Sequence, residues 1–555
     1  MNQPAEVDTL FNDLSPRQLR ETLESYVPPG LSQAQKVAAI EMVLVSPIGV
    51  SVRSAMGRWI SEHVVSAAKL VPAVHSRWVP VVRDAMLFVV SHLSASRLAP
   101  KLLEQLELPL RTRPETRLLR LISKVPGLQK LGQVLAHNQN LNPPLRKALI
   151  RLENEIRDVK ATEIAHLIRE RLGDRIALFD VRFRPVIMSE ASVSAIVRFT
   201  WMNPDTGQRE RGVFKVLKPY IPSFFAEDMQ MLQGLAEYFG SKLNDYGLSG
   251  DVLADTFTKV RRLLEHEVDL PGEQRTLRTA VTMYRSMPGV RVPRAITPLC
   301  TADITAMTEE QGSKITVATR RMSKWKRARL AERLVEALVA RPLFSSEPDA
   351  LFHADPHAGN LFYDPAKGDI IIFDWALTER LTREQRRHLA LLFGFVALRD
   401  RVSVAAEIEA LRQSGRNHNG HSVRPSEQLR EQVAEFLDQL PIAQLPSAVD
   451  AMRLLERLAM NGMKFPGPLI MLSKVMLMLD GILAELGASK NCMGIGISRH
   501  LVRQSLRHQS LIASPIKGLD WLNLQCSAVM YVGRLWIRWE EMLLGTGPNV
   551  ARSLA

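Results

Sequence analysis

The sequence has few cysteines and few aromatic residues. The three cysteines, Cys300, Cys492 and Cys526, are odd in number and far apart, which argues against a disulfide framework or a paired-cysteine zinc site and favours a reducing, cytoplasmic compartment. Aromatic residues make up only 6% of the chain, and no nucleic-acid module is recognisable, so we expect no nucleic-acid partner. Residues 1–15 lack a basic start and an apolar core, so we expect no signal peptide.

Long apolar runs are also missing. A membrane-spanning helix needs about twenty apolar residues, but residues 37–52 contain a glutamate and a proline, and residues 469–483 contain Lys474 and an aspartate. Both segments are predicted to be buried helices. Residues 521–536 are apolar with tryptophan at each end, which predicts a packed helix or, alternatively, a helix that contacts a membrane surface.

Positive charge is in excess. The formal net charge is +14 and the isoelectric point is near 9.8, so the surface attracts anions such as nucleotide phosphates and anionic lipid. We expect an anionic lipid surface as the macroscopic partner and a cytoplasmic protein that is peripheral on the membrane.

Residues 352–360, together with Asp374, predict a phosphoryl-transfer site. Asn360 follows Asp355 by five positions, as in the kinase loop H-R-D-L-x-x-x-N, and Asp374 follows fourteen later. Phosphoryl transfer needs a carboxylate that orients the attacking oxygen and oxygen ligands that hold magnesium. We therefore predict Asp355 as the catalytic carboxylate, Asn360 and Asp374 as the metal ligands, and ATP with Mg²⁺ as the cofactors. His353 is predicted to be structural, and Gly359 to permit a tight turn. After Arg320 the chain is predicted to be helical except for short strands at residues 361–363 and 370–373.

A lysine on an upstream strand completes the expected nucleotide site. Lys215 lies in Val-Phe-Lys-Val, which matches the V-A-I-K strand lysine that neutralises phosphates, and residues 203–207 predict a hairpin turn before it. Lys218 precedes a proline and is predicted to be exposed. Residues 189–195 contain no glycine, so a glycine-rich phosphate loop is missing, and Glu190 is expected to repel phosphate.

Acidic residues follow the predicted hairpin. Glu267, Asp269 and Glu273 are candidates for the ion-pair partner of Lys215, with a solvated helix start as the alternative. Glu309 falls where an interlobe hinge would hold adenine through its backbone.

Four motifs together resemble the UbiB or AarF-domain family of atypical protein-kinase-like proteins, over about residues 118–485. They are Lys130 with Gln133 (KxGQ), Ala191 with Ser192 (the end of an alanine-rich loop), Glu267 with Asp269 (ExD), and residues 352–360 (F-H-A-D-x-H-P-G-N).

The resemblance implies roles for these motifs. Lys130 and Gln133 would be regulatory and would face Glu267 and Asp269, and Glu273 would pair with Lys215. Ala191 and Ser192 would contact the nucleotide. The family's links to ubiquinone or other isoprenoid-lipid metabolism imply an isoprenoid lipid and lipid-biosynthesis proteins as partners, and association with the membrane surface. The sequence departs from the family at Ala358, where proline is usual, and at Ala376, where the D-F-G motif has glycine.

The predicted fold class is α+β: a bilobal protein-kinase-like fold with a mostly helical N-terminal extension that includes the KxGQ-type helices, and a helical C-terminal extension. The predicted divisions are an N-terminal extension (1–110), a KxGQ segment (111–178), a small lobe with the ExD insert (179–318), a large lobe (319–488) and a C-terminal extension (489–555).

The leading functional prediction is a UbiB-like, ATP-dependent phosphotransferase or ATPase. Two alternatives remain open. One is a small-molecule phosphotransferase of the aminoglycoside or choline kinase type. The other is a nucleotide-binding regulatory scaffold with little turnover.

Overall fold

A computed structural model of the chain describes residues 21, 30–109, 111–136, 143–154, 157–246, 251–414, 425–441, 445–489, 492–506 and 515–543. Most of these residues are helical. The α-helices are α1 (Gln33–Val45), α2 (Gly49–Trp59), α3 (Ala67–Leu70), α4 (Val79–His92), α5 (Ala95–Glu107), α6 (Pro114–Ile122), α7 (Pro126–Ala136), α8 (Pro143–Asn154), α9 (Ala161–Leu172), α10 (Arg175–Leu178), α11 (Ile221–Lys242), α12 (Asp251–Val268), α13 (Leu270–Tyr284), α14 (Ile315–Ala318), α15 (Lys324–Val335), α16 (Arg341–Leu343), α17 (Arg383–Ala397), α18 (Arg401–Gln413), α19 (Glu427–Gln439), α20 (Ala448–Met460), α21 (Gly467–Glu485), α22 (Cys492–Leu506) and α23 (Gly518–Leu543).

Shorter helical turns and ten strands connect these helices in the described residues. The 3-10 turns are Ala73–Trp78, Leu243–Tyr246, Thr297–Leu299 and Thr319–Arg321, and the π-helical turns are Ile60–Val64 and Glu336–Ala340. The strands are β1 (Arg182–Glu190), β2 (Ser194–Asn203), β3 (Gln208–Leu217), β4 (Val290–Arg291), β5 (Ile304–Thr308), β6 (Ser313–Lys314), β7 (Asp349–His353), β8 (Leu361–Asp364), β9 (Asp369–Ile372) and β10 (Thr378–Thr382).

The chain divides into two compact units. The first unit contains Met1–Pro271 and Ile296–Glu309, and the second contains Gly272–Ala295 and Glu310–Ala555.

The first unit begins with a helical layer. Ser32 caps α1 and exchanges hydrogen bonds with Gln35 in a capping box. Leucine and other apolar side chains of α1 to α8, α11 and α12 form one core. The prediction that residues 37–52 form a buried helix is wrong: a bend of 113° separates α1 from the helices that follow it, and Met42, Val45 and Val50 are exposed.

A four-stranded antiparallel sheet follows in the first unit, with the order β1-β2-β3-β5. The predicted turn at residues 203–207 is confirmed as the β2–β3 hairpin, in which Asn203 pairs with Gln208. Side chains alternate between the two faces of a strand. Phe214 and Val216 are therefore buried on one face, in a core shared with α9, and Lys215 projects from the other.

The second unit is mostly helical and contains two small sheets. One pairs β7 with β10, and the other has the order β4-β9-β8-β6. The predicted strands near residues 361 and 370 are confirmed as β8 and β9. Helix alone was expected in the rest of the large lobe, and this is wrong, because β7 and β10 form a five-residue antiparallel pair. The β7–β10 pair fixes the start of the loop that carries Asp355.

Two apolar helices of the second unit pack through one face. Of the described helices, α21 alone is by itself long and apolar enough to cross a membrane by length and composition, and its Leu472, Val475 and Leu479 are buried. Helix α23 packs on α17. Its apolar surface is exposed elsewhere, at Leu519 and Val529 among other positions.

The β-sheet of the first unit should not tolerate a side chain at Gly212. A Cβ atom there would lie 2.5 Å from Cζ of Phe199 and 3.0 Å from the carbonyl oxygen of Met307. We expect Gly212→Ala to lower the free energy of unfolding by about 1–3 kcal/mol in urea denaturation. Gly240→Ala is the control. It lies in α11 with nothing within 4 Å of its would-be Cβ, so it should gain about 0.5–1 kcal/mol. Equal effects of the two substitutions would contradict this packing.

Candidate functional site

His353 holds the two segments of the second unit that carry the predicted catalytic and metal-binding residues. It ends β7 and is 1% exposed. Its Nδ1 accepts a hydrogen bond from the backbone N–H of Asp355 at 3.1 Å, and its Nε2 lies 3.0 Å from the carbonyl oxygen of Phe373. Because a carbonyl only accepts and an N–H only donates, the ring must be neutral with its proton on Nε2.

The environment of His353 favours this neutral form. Burial lowers the pKa of His353, and the Phe373 carbonyl and the nearby carboxylates of Asp374 and Asp355 oppose this effect without cancelling it. The expectation that His353 packs and hydrogen-bonds agrees with these contacts.

The loop after Asp355 is closed by its own hydrogen bonds. The backbone N–H of His357 donates to the carbonyl oxygen of Asp355 at 2.8 Å, and Asn360 Nδ2 donates to the same oxygen at 3.2 Å. The backbone N–H of Phe373 donates to the carbonyl of Asn360 at 2.9 Å. The predicted need for glycine at Gly359 has a specific cause: a Cβ there would lie 2.7 Å from the His357 ring.

Asp374 follows β9 in an unusual backbone conformation. Its φ is 59°, in the left-handed region that few residues other than glycine adopt. The next residue, Trp375, is fully buried. Its ring meets those of His353 and Tyr284 at centroid distances of 5.0 and 5.9 Å, and its carbonyl accepts a hydrogen bond from Thr276 Oγ1 at 2.7 Å. These contacts hold the backbone next to Asp374, whose side chain is exposed.

The donor set fits magnesium. Because Asn360 Nδ2 is bound to a backbone carbonyl, its side-chain oxygen can serve as a ligand, and Asp374 adds an exposed carboxylate. Magnesium prefers oxygen ligands and is commonly held by one or two side chains together with substrate phosphates. In the described ranges, no group of three or more His, Cys, Asp or Glu residues could hold a metal by itself.

Sequence reasoning missed a lysine at this loop. Lys474 of α21 places Nζ 3.2 Å from Oδ1 of Asp355. In the sequence, Lys474 stands out only as a charge that interrupts the apolar residues 469–483. The cost of a charge in such a helix was a usable signal, because buried or half-buried charges usually have partners.

In the first unit, a network joins three of the predicted motifs. Glu267, at the end of α12, accepts hydrogen bonds from Lys130 of α7 and from Ser192 Oγ, the latter at 2.9 Å. Gln133 lies on α7 one turn after Lys130, and Asp269 is an exposed residue between α12 and α13. The structure thus connects the KxGQ helix, the β1–β2 turn and the ExD segment through one carboxylate.

Lys218 is not exposed, contrary to prediction. Its side chain is fully buried and contacts Asp158 Oδ1 at 2.7 Å and Glu190 Oε1 at 3.0 Å. Glu190 also accepts a hydrogen bond from the backbone N–H of Asp158 at 2.9 Å. Lys218 thus pairs with Glu190 inside the protein, and the expected repulsion of phosphate by Glu190 stays a prediction.

Three further predicted residues lie at the β1–β2 turn, at the end of the first unit and on α13. Ala191 is exposed in the turn between β1 and β2, where its N–H donates to the carbonyl of Ser194 at 2.8 Å. Glu309 binds Arg198 at 2.6 Å through its side chain, and the chain passes from the first unit to the second immediately after it. Glu273 is buried on α13 in the second unit. Its pairing with Lys215 of the first unit stays a prediction.

Residues 151–408 match the ABC1 atypical kinase-like domain. This range includes Lys215, the ExD segment and the Asp355 loop. The match covers slightly less than half of the chain and supports the UbiB/ABC1 atypical kinase-like family. The predicted fold class, an α+β, bilobal kinase-like fold with helical extensions, is confirmed.

This chain is similar to proteins from bacteria and plants. It is 26% identical over 363 residues to the probable protein kinase UbiB of Pseudomonas fluorescens, covering 64% of this chain and 65% of that protein. It is 27% identical over 320 residues to the protein ACTIVITY OF BC1 COMPLEX KINASE 7, chloroplastic, of Arabidopsis thaliana, covering 57% of this chain and 43% of that protein. The match thus spans less than two thirds of either relative.

One solved structure is similar to this chain. The similarity covers 66% of this chain and 89% of the chain in that structure. The structure is the complex of Rv3197 with erythromycin from Mycobacterium tuberculosis, at 17% identity and a TM-score of 0.44.

The Lys218 cluster yields a stability prediction. Lys218→Met would leave the Asp158 and Glu190 carboxylates buried without a cation, so we expect the free energy of unfolding to fall by about 3–5 kcal/mol in chemical denaturation. Adding Glu190→Ala should recover part of the loss, because one uncompensated carboxylate is removed. A double variant no more stable than Lys218→Met would contradict this view of the cluster.

The same cluster should be sensitive to pH. Burial would raise the pKa of Asp158, but the Lys218 ammonium and hydrogen bonds from Lys218, Gln129 and Tyr220 outweigh it, so the pKa lies below its usual value. A carboxylate with a lowered pKa stabilises the fold above its unfolded pKa of about 3.9 and loses that contribution as the pH falls through the folded value. The difference between wild type and Lys218→Met should therefore shrink below about pH 4.

Proposed function

We propose that this chain is a UbiB-like atypical kinase or ATPase that binds Mg-ATP and supports ubiquinone or other isoprenoid-lipid metabolism. The observation that carries the proposal is the loop from Asp355 to Asp374. His353 and further hydrogen bonds hold the backbone of this loop, and the loop carries the two carboxylates and the amide that phosphoryl transfer uses.

Each predicted residue has a distinct role in this proposal. Asp355 orients the attacking oxygen of water or of an acceptor hydroxyl. Asn360 and Asp374 hold magnesium, which neutralises charge on the phosphates. Lys215, half-buried between the buried Phe214 and Val216, supplies a second positive charge for the phosphates.

A nucleotide-binding scaffold with little turnover is the second candidate. The observation that favours it is the β1–β2 turn. It lacks glycine and is tied down through Ser192 and Glu190, so its backbone has little freedom to close over phosphates.

We also propose that an anionic lipid surface is a partner. The chain carries a net charge of +14, and the described part of α23 exposes Leu519, Leu522 and Val529 on its surface. A net positive charge attracts anionic lipid, and exposed apolar side chains on a helix are typical of contact with a lipid surface.

Turnover measurements test the proposed chemistry. Purified protein with ATP and Mg²⁺ should release phosphate, or transfer it to an added acceptor, and Asp374→Asn should lower the rate by at least about 100-fold because metal binding is lost. Asp349→Asn changes an exposed carboxylate at the start of β7 and should leave the rate unchanged.

Other outcomes of the same experiment decide between the alternatives. Turnover that survives Asp374→Asn would overturn the site assignment. ATP binding without turnover in wild type would favour the scaffold, and efficient phosphorylation of a small alcohol would favour a small-molecule kinase. Vesicles that contain phosphatidylglycerol, but not phosphatidylcholine vesicles, should bind the protein if the lipid proposal is right.

A further inference from the structure

Lys474 is an unusual residue for its position. It lies in the middle of α21, the helix whose composition is apolar enough for a membrane span, and its sequence neighbours Ser473 and Val475 are both buried. Holding a charged group in such a helix costs free energy unless a partner compensates it. The partner is the carboxylate of Asp355, 119 residues earlier in the chain.

Helix α21 holds Lys474 firmly. Val475 and Met476 are fully buried, and Ser473 Oγ donates to the carbonyl of Met452 on α20 at 3.3 Å. The helix also contacts β10, the strand paired with the β7 strand that leads into Asp355. The ammonium group is therefore presented from a packed element rather than from a mobile loop.

The Asp355 loop has no permanent cation of its own. The residues between Asp355 and Asn360 are proline, histidine, alanine and glycine, and the histidine ring accepts a hydrogen bond from the backbone N–H of Gly359 at 3.0 Å. Lys474 contacts only Oδ1 of Asp355. Among the described residues, Oδ2 has no hydrogen-bond partner, and the Asp355 side chain is 32% exposed.

We propose that Lys474 is a positioning residue for phosphoryl transfer, an inference that rests on the proposed function. By binding Oδ1, it turns the carboxylate so that Oδ2 meets the attacking O–H group. The attacking oxygen, from water or an acceptor hydroxyl, forms a bond to the γ-phosphorus. At the same time the bond between the γ-phosphorus and the β–γ bridging oxygen breaks. ADP leaves with the electron pair, and the proton of the attacking group passes to Oδ2 and then to solvent.

The ion pair between Lys474 and Asp355 is poorly suited to a purely structural role. Both side chains are about one third exposed, and ion pairs with that much solvent contact contribute little to stability. Orientation of a catalytic group has much larger effects, because small misplacements lower rates by up to about 100-fold. Loss of Lys474 should therefore reduce the rate without unfolding the protein.

Kinetics of the full chain test the inference. For Lys474→Met we expect kcat for ATP turnover to fall by about 10- to 100-fold, with KM for ATP within about twofold of wild type and Tm unchanged. Lys474→Arg, which keeps the charge, should recover most of the rate. Lys464→Met, at an exposed position before α21, is the matched control and should behave as wild type.

A double variant shows whether Lys474 acts through Asp355. In single-turnover measurements, Lys474→Met added to Asp355→Asn should cause no further loss beyond that of Asp355→Asn alone. A multiplicative further loss, or a rise in KM with unchanged kcat, would overturn the inference and indicate direct contact with phosphate. A kcat for Lys474→Met equal to that of the wild type would also overturn the inference.

These results are separable from failure of the proposed function. Turnover that is lost in Asp374→Asn but retained in Lys474→Met overturns the role of Lys474 alone. No turnover in wild type, or full turnover in Asp374→Asn, overturns the proposed function and this inference with it.

Discussion

The neutral imidazole of His353 connects the parts of the second unit on which its chemistry depends. One ring nitrogen accepts from the backbone of Asp355, and the other donates to the carbonyl just before Asp374. Protonation of the ring would place an N–H on Nδ1, where it would face the backbone N–H of Asp355. The two hydrogen bonds that set the spacing between the aspartates therefore require an uncharged ring. Burial beside Trp375, which lowers the pKa of His353, maintains that state.

A second constraint operates in the first unit, at the turn between β1 and β2. Ordinary kinases use glycines at this place so that the backbone can approach phosphate. Here, side chains fix the turn instead. Ser192 binds Glu267, Glu190 binds Lys218, and Lys218 binds Asp158 just before α9. A turn held at both ends has little freedom to adjust its backbone to a bound phosphate. It is therefore suited to binding phosphate in one position only.

Local patterns were enough to predict much of this fold. The β2–β3 hairpin has a strong turn signal between two alternating strands, and the family follows from motifs whose spacing is set by chemistry. The strands β7 and β10 were missed because they are five residues long and pair with each other across the intervening loop. Short strands of this kind depend on tertiary pairing more than on their own composition.

The errors in the candidate site have a similar cause. Lys218 next to a proline suggests an exposed strand end, but its partners Asp158 and Glu190 lie 60 and 28 residues earlier. Lys474 reaches Asp355 from a helix that composition alone describes as apolar. Buried charges are compensated by partners that are distant in sequence, so their positions become visible only in the folded chain. The catalytic and metal roles stay predictions.

Metal binding tests the central claim most directly. Mn²⁺, which replaces Mg²⁺ at oxygen-ligand sites, can be counted by electron paramagnetic resonance in the presence of a nonhydrolysable ATP analogue. We predict that wild type binds Mn²⁺ only together with the nucleotide, and that Asp374→Asn and Asn360→Ala each abolish this binding while Asp349→Asn does not. Nucleotide-dependent Mn²⁺ binding that is unchanged in both site variants would contradict the account.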